Sequence, residues 1–399
     1  MLIKDIFLTQ IFDSRGEATL EVSLGDGDGR LFFASVPSGK SRGSHEAAVL
    51  PYAQAKAALG EVRSHVIGKS YPSVAAFDNA LLALDGTENK SKLGGNLMLG
   101  LSVAFARAHA FASRKILWGS LRDEFFPGVA EKWKPLVFSN LVNGGMHARN
   151  NLQIQEYMVV LKTGMGSFKE TVPQLIGFYR DLGDFLAKEK RTAMPPIGDE
   201  GGYAMNFTNN FEPIAILEER LKEAKMDSFC TIGLDAAATD FYGDGAYLFE
   251  GKRFQTDELA RVYEDYFKRS KLLCTIEDPF AETDEKGFAM LLDALHGKWV
   301  VGDDLTTTHP KLIERYAEQK CIKGAIIKPN QIGTVSEACA AINAAKKNGV
   351  KTIISHRSGE TEDTFIIHLA KAAAADAVKI GAPARERMLK FNELLRVYG

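Results

Sequence analysis

Three acidic residues stand at the ends of apolar runs in the second half of the sequence: Asp235 in IGLDAAA, Glu277 in TIEDPFAE and Asp303 in VGDDLTT. Uncompensated like charges brought together are costly, whereas three carboxylates around a hard divalent cation are a familiar arrangement. The implied ion is Mg²⁺, with Mn²⁺ as a substitute. Two further runs end in lysine, GAIIK at Lys328 and DAVK at Lys379, and His356 opens HRSGE. A lysine at the end of a buried strand needs a partner for its charge. It either pairs with a neighbouring carboxylate or serves as a general base. The second role requires a pKa depressed by about three units from ~10.4, roughly 4 kcal/mol. Nearby metal cations and the second ammonium are expected to supply that depression.

Glu200 lies in the Gly-bracketed turn PPIGDEGG and Glu156 in LQIQEYM. As a carboxyl pair they would share one proton, raise one pKa and so donate to a leaving hydroxide. Ordinary turn acids are the alternative. Arg357 and Ser358, next to His356, offer a bidentate guanidinium and a hydroxyl to a phosphate. Metals, a phosphate clamp, a lysine base and a protonated acid together describe one reaction: a proton is removed α to a carboxylate and a β-hydroxyl is then lost.

These groups are useful only if the chain brings them together. The first 45 residues read as strands, IKDIFLTQIF, ATLEVSL and RLFFASV, the last two joined by GDGDG, so an antiparallel meander is expected. From His45 to about Glu124 apolar residues recur at helical spacing, beginning with HEAAVLPYAQAKAALGEV. Beyond Trp133 short apolar strands alternate with amphipathic helices. Asp235, Glu277, Asp303, Lys328 and His356 are separated by 42, 26, 25 and 28 residues, about the length of a βα unit. That is the period of a parallel barrel, whose active site lies at the C-terminal ends of its strands. The expected class is α/β: an N-terminal α+β capping domain over residues 1–125, then a TIM-like β/α barrel over 126–399 that carries the metal and catalytic residues.

The 399 residues hold 49 Lys plus Arg against 51 Asp plus Glu, which excludes a global electrostatic footprint for nucleic acid or an anionic membrane. Any anion site must be local. Cys230, Cys274, Cys321 and Cys339 form no CxxC pair and read as thiols of a reducing compartment. With no secretory signal and no apolar run of about 18 residues, a soluble cytoplasmic protein is expected.

Over essentially its whole length the sequence resembles the enolase family, the phosphopyruvate hydratases of glycolysis. FDSRGEATLEV is similar to the family's DSRGNPTVEV, and LDGTENKSKLGGN to LDGTPNKSKLGAN. NGGMHARNNLQIQEYM, GDEGG, TIEDP, GDDL, IKPNQIGTVSE and SHRSGETEDT follow in family order. The resemblance implies reversible dehydration of 2-phosphoglycerate to phosphoenolpyruvate with two Mg²⁺ per site. Asp235, Glu277 and Asp303 then hold the first ion, and Ser41 helps bind the second. Lys328 matches the base, Lys379 the substrate-carboxylate contact, and Glu200 with Glu156 the acid, Gln155 beside them. Arg357 and Ser358 match the phosphate contacts, His356 lies near the departing hydroxyl, and His147 sits on a second mobile loop. Glu21 and Arg396 match positions that pair across a dimer interface, so a homodimer or higher assembly is expected.

The opening loop departs from the family. The usual SGASTG is replaced by Ser38-Gly39-Lys40-Ser41-Arg42-Gly43. Lys40 and Arg42 are expected to face solvent, because Arg357, Lys379 and the metals already neutralise the substrate. Two other readings stay open: an enolase-like lyase for another phosphorylated or phosphonate acid, and a non-catalytic surface-binding or structural homologue.

Overall fold

The computed structural model describes residues 1–40, 43–129, 134–162 and 167–399. An antiparallel meander opens the chain: β1 (Asp5–Phe12), β2 (Ala18–Gly25) and β3 (Leu31–Ser35). The turn between β2 and β3 is set by Asp26, whose Oδ1 accepts from the amides of Asp28 and Arg30, with Gly29 at φ +81°. Four helices follow: α1 (Tyr52–Val66), α2 (Val74–Asp85), α3 (Gly95–Ala112) and α4 (Leu117–Phe125). Helix α1 starts seven residues later than its periodicity suggests. Pro51 disfavours helical backbone at Leu50, and the amides of Ala47 and Ala48 donate instead to the carbonyls of Gln331 and Asn89. That stretch is thereby tied to the second half of the chain.

Eight strands close a barrel in the order β4 (Leu136–Asn143), β5 (Glu156–Leu161), β6 (Cys230–Asp235), β10 (Leu273–Glu277), β11 (Trp299–Gly302), β12 (Gly324–Ile327), β13 (Lys351–Ser355) and β14 (Ala377–Ile380). Between β5 and β6 lie α5 (Phe168–Glu189) and α6 (Glu212–Glu223). After β6 comes a small sheet of β7 (Tyr242–Gly243), β8 (Ala246–Phe249) and β9 (Lys252–Phe254), then α7 (Thr256–Arg269). This inserted sheet accounts for the long first interval between strand-end acids. The remaining helices are α8 (Glu285–Ala294), α9 (Pro310–Glu318), α10 (Pro329–Ile332), α11 (Val335–Lys347), α12 (Phe365–Ala373) and α13 (Met388–Tyr398).

The barrel is not all parallel. Strand β5 runs antiparallel to both β4 and β6, while the other neighbours pair in parallel. A short β4–β5 connection replaces the helical crossover that a parallel pair needs. Inside the barrel, Phe138, Met158, Val160, Val301, Ile326, Ile353 and Ala377 form a separate apolar cluster. Gly233 is small because that space is full: a Cβ there would lie 2.8 Å from Thr275 Cγ2. Cys230, Cys321 and Cys339 are buried, Cys274 is half-buried, and all four are free thiols.

Asp78, fully buried on α2, joins the first part of the chain to the barrel. It accepts from the Ser336 amide at 2.9 Å and the Ser336 hydroxyl at 2.6 Å in the first turn of α11. Burial raises its pKa to about 6, against the hydrogen bonds from Ser102 and Ser336. The folded chain therefore holds this proton more tightly than the unfolded one. The resulting stability is complete below about pH 4 and lost as pH rises through 6. The unfolding free energy of wild type minus that of Asp78→Asn should fall by about 2–3 kcal/mol between pH 4 and pH 7. Urea titrations at the two pH values measure it, and a flat difference would refute the assignment.

Candidate active site

Alternation along each strand builds the site directly above the apolar plug. Two residues beyond Phe138, Gly233, Thr275, Val301, Ile326, Ile353 and Ala377 come Asn140, Asp235, Glu277, Asp303, Lys328, Ser355 and Lys379. On the reversed strand the order inverts, and Glu156 comes two residues before Met158. Glu156 pairs in register with Asn143, the end of β4, and with Asp235, the end of β6. Running β5 backwards is what puts its first residue on the rim where its neighbours end.

The Lys379 ammonium is buried among acids, 2.9 Å from Asp235 Oδ2, 2.8 and 2.9 Å from the Glu277 oxygens and 3.2 Å from Glu156 Oε2. Burial opposes its charge, but Asp235, Glu156 and Glu277 more than offset that and hold its pKa well above the ordinary lysine value. Lys328 lies on Asp303 Oδ2. Its pKa is also raised, since the attraction of Asp303 outweighs burial and the repulsion of Arg357 and Lys379. Lys328 thus makes the carboxylate pairing that is one of its two expected roles. Gln331 Nε2 donates to Asp303 Oδ1 at 3.1 Å. Asp235 and Glu277 therefore share Lys379, while the third expected ligand, Asp303, is turned to Lys328.

Glu156 and Glu200 do not hydrogen-bond each other directly. His147 Nδ1 lies between them, 3.8 Å from Glu156 Oε1 and 3.4 Å from Glu200 Oε1. Glu200 Oε2 accepts from Asn140 Nδ2 at 2.9 Å and faces His356 Nε2 at 3.5 Å. Burial and the Glu200 charge push Glu156 well above the carboxylate range. On Glu200 burial acts in the same sense, but His356, His147 and Lys379 overcome it and hold the group well below. Both imidazoles are depressed by burial, His356 to about 4. The two carboxyls are thus driven in opposite directions, Glu156 toward keeping a proton and Glu200 toward losing one.

Arg357, almost fully buried, donates to Asn330 Oδ1 at 2.9 Å and pairs with Glu46 at 3.3 Å. The opening loop closes over it. Ser38 and Gly359 exchange backbone hydrogen bonds of 2.8 and 2.9 Å. Gly39 lies so near the guanidinium that a Cβ would sit 1.7 Å from its Nη2. The Lys40 amide donates to Ser358 Oγ at 3.1 Å. The Lys40 side chain is exposed, as expected, but its ammonium is not free. It crosses the mouth of the site to the Met146 carbonyl at 2.6 Å and to Asp199 Oδ2 at 3.1 Å. Ser41 and Arg42 lie outside the described residues.

Gly39, Lys40, His147, Gln155, Ser358 and Lys379 are among the residues lining the pocket so formed. Its acids, Glu156, Glu200, Asp235, Asp278, Asp303 and Asp304, outnumber its cations, Lys40, Lys328, Arg357 and Lys379. Gln155 Oε1 and both His356 ring nitrogens are buried without a partner. A surplus of oxygen donors fits a hard divalent cation. Among the described residues, His147, Glu156 and Glu200 form one group close enough to share an ion, and Asp278, Asp303 and Asp304 another. Glu46, Asn140, Gln331, Asp278 and Asp304 are site residues the sequence reading did not single out. Asn140 stands two places after Phe138 in a strand overlooked there, and Asp278 and Asp304 directly follow the expected ligands.

Fold and rim define a β/α-barrel enzyme that does acid–base chemistry on a small anion, with lysines set among carboxylates. The family model for the enolase N-terminal domain matches residues 3–121, and that for the enolase C-terminal TIM barrel domain matches 131–399. The chain belongs to the enolase family. It is 36% identical to an enolase of Campylobacter jejuni subsp. jejuni (strain 81-176) over 100% of this chain and 97% of that protein. It is also 36% identical to the enolase of Aeropyrum pernix, over 99% and 93% respectively. Family and donor set together imply a metal cofactor. No helix among the described residues is long and apolar enough to cross a membrane.

Removing the Lys379 charge would leave Asp235, Glu277 and Glu156 facing one another. In chelator, Lys379→Met should cost about 3–5 kcal/mol of unfolding free energy, and added Mg²⁺ should recover more stability in the variant than in wild type. Urea unfolding with and without the ion measures both. Equal stability in chelator would show that the ammonium does not hold the cluster together.

Proposed function

We propose that this chain catalyses the reversible dehydration of 2-phosphoglycerate to phosphoenolpyruvate, the glycolytic step, with two Mg²⁺ per site. The carrying observation is the convergence on one rim of Lys379 with Asp235 and Glu277, Lys328 with Asp303, and Glu156 with Glu200 about His147, beside the buried Arg357. Asp235, Glu277 and Asp303 would hold the first ion, and Ser41 would contribute to the second. The cations supply positive charge where negative charge builds on the substrate carboxylate. Lys379 binds and orients that carboxylate, and Arg357 with Ser358 takes the phosphate, helped by His147 and Gln155.

Lys328 removes the proton at C2. It is charged while it faces Asp303 alone, so this step requires the Asp303 charge to be met by another group. The Glu156–Glu200 pair returns a proton to the departing hydroxyl. Glu156 holds that proton, and Glu200 together with His356 leads toward the leaving oxygen. Residues 1–125 cap the barrel of 126–399 and bring the opening loop over Arg357. The free, largely buried thiols support a cytoplasmic setting. We place the working form as a homodimer through Glu21 and Arg396. Within one chain Glu21 accepts from Ser35, and Arg396, exposed, pairs with Glu393.

Phosphoenolpyruvate should form from 2-phosphoglycerate with Mg²⁺ and stop when a chelator removes it. Full turnover without metal would sink the reading. Lys328→Ala should abolish exchange of the C2 proton with deuterated buffer while substrate still binds, and exchange at the parent rate would remove Lys328 as the base. Light scattering should give twice the chain mass of 43.7 kDa or more. A monomer at micromolar concentration would count against the dimer.

A further inference from the structure

We infer that Lys40 is a positioning residue for the proton-donating half of the site, acting through the two loops that carry His147 and Glu200. The inference rests on the proposed dehydration for its kinetic test, but its structural basis is independent of substrate. Lys40 sits where the family usually has alanine. Its amide is tied to Ser358 Oγ and the preceding loop backbone to Gly359, so its main chain belongs to the phosphate side of the pocket. Its ammonium reaches the opposite side, to the Met146 carbonyl and the Asp199 carboxylate. Met146 is next to His147, and Asp199 is next to Glu200. The two loops also touch each other, since the Asp199 amide donates to the His147 carbonyl at 3.2 Å. One side chain therefore fastens the loop over Arg357 to both segments that set the Glu200–His147–Glu156 geometry.

The Lys40–Asp199 pair is partly exposed, and such a pair contributes little to stability. Its worth lies in placement, because small displacements of a catalytic group cost far more in rate than in folding energy. Lys328 and Asp303 stand on the other side of the barrel rim and are not touched by Lys40. Loss of the ammonium should accordingly slow departure of the hydroxyl and leave proton removal at C2 intact.

The test compares wild type, Lys40→Ala, Lys40→Arg and Asp199→Asn with 2-phosphoglycerate and Mg²⁺ in deuterated buffer. Lys40→Ala and Asp199→Asn should each lower kcat for phosphoenolpyruvate formation about ten-fold. C2 exchange should stay within two-fold of wild type, so the ratio of exchange to dehydration rises about ten-fold. Lys40→Arg should restore most of it. Amide hydrogen exchange without substrate should be faster at residues 144–148 and 198–202 in both weakened variants. Parallel loss of exchange and dehydration, or unchanged amide protection, would overturn the inference. A wild type that forms no phosphoenolpyruvate would instead overturn the dehydration reading and leave amide protection to decide the role of Lys40.

Discussion

The constraint on which the site depends is the burial of two ammonium groups against an excess of carboxylates. Lys379 alone meets three acids from three strands, β5, β6 and β10, and cannot be moved without stranding them. Desolvating that many charges is tolerable only because each finds a partner within hydrogen-bonding distance. The barrel makes this possible geometrically. Its apolar plug supports the charged layer from below, and each charged residue is fixed by strand register and not by loop conformation. Precision at the rim is therefore inherited from the sheet.

Around that fixed layer the movable parts are held by fewer and more exposed contacts. The loop of residues 37–40 is anchored by a short backbone bridge to Gly359 and by Arg15, which reaches both Asp13 and Ser38. Gly39 is required there, since any side chain would displace the Arg357 guanidinium. The first part of the chain supplies Glu46 as a partner for Arg357 and Asp78 as a cap for α11. Its contribution to the site is thus electrostatic as well as steric. Glu46 supplies the carboxylate for the buried arginine, which also donates to Asn330 Oδ1.

Much of this was legible in the sequence because strand ends carry their own signal. Asp235, Glu277, Asp303, Lys328 and Lys379 each close an apolar run, and parallel strands bring such ends together. The same rule gave no reason to place Glu156 with them, since it opens its strand. Only the reversal of β5 does so, and reversal leaves no mark in composition. Asn140 was missed because its strand β4 was itself overlooked. Lys40 is exposed, as expected, but its acceptors are a backbone carbonyl and an acid on two loops distant in sequence, which its charge alone does not reveal. Nor does strand-end spacing reveal which carboxylate lies nearest each ammonium, so the two roles open to each lysine were not separable.

Glu156 and Glu200 show what the fold adds beyond collecting residues. Both are fully buried carboxyls in contact with the same imidazole, yet they are driven in opposite directions. Glu156 sits in the carboxylate layer, where Glu200 and Asp235 repel its charge and Lys379 is already shared with two other acids. Glu200 comes from a turn, where Asn140 donates to it and His147 and His356 lie beside it. The neighbours of each carboxyl, and not its burial, thus set the direction in which it is driven. A reaction that removes a proton on one side of a substrate and returns one on the other needs that difference in place before substrate arrives. Sheet register fixes the surroundings of Glu156, and the turn at residues 198–202 fixes those of Glu200. The two stay distinct only as long as the turn is held against the barrel.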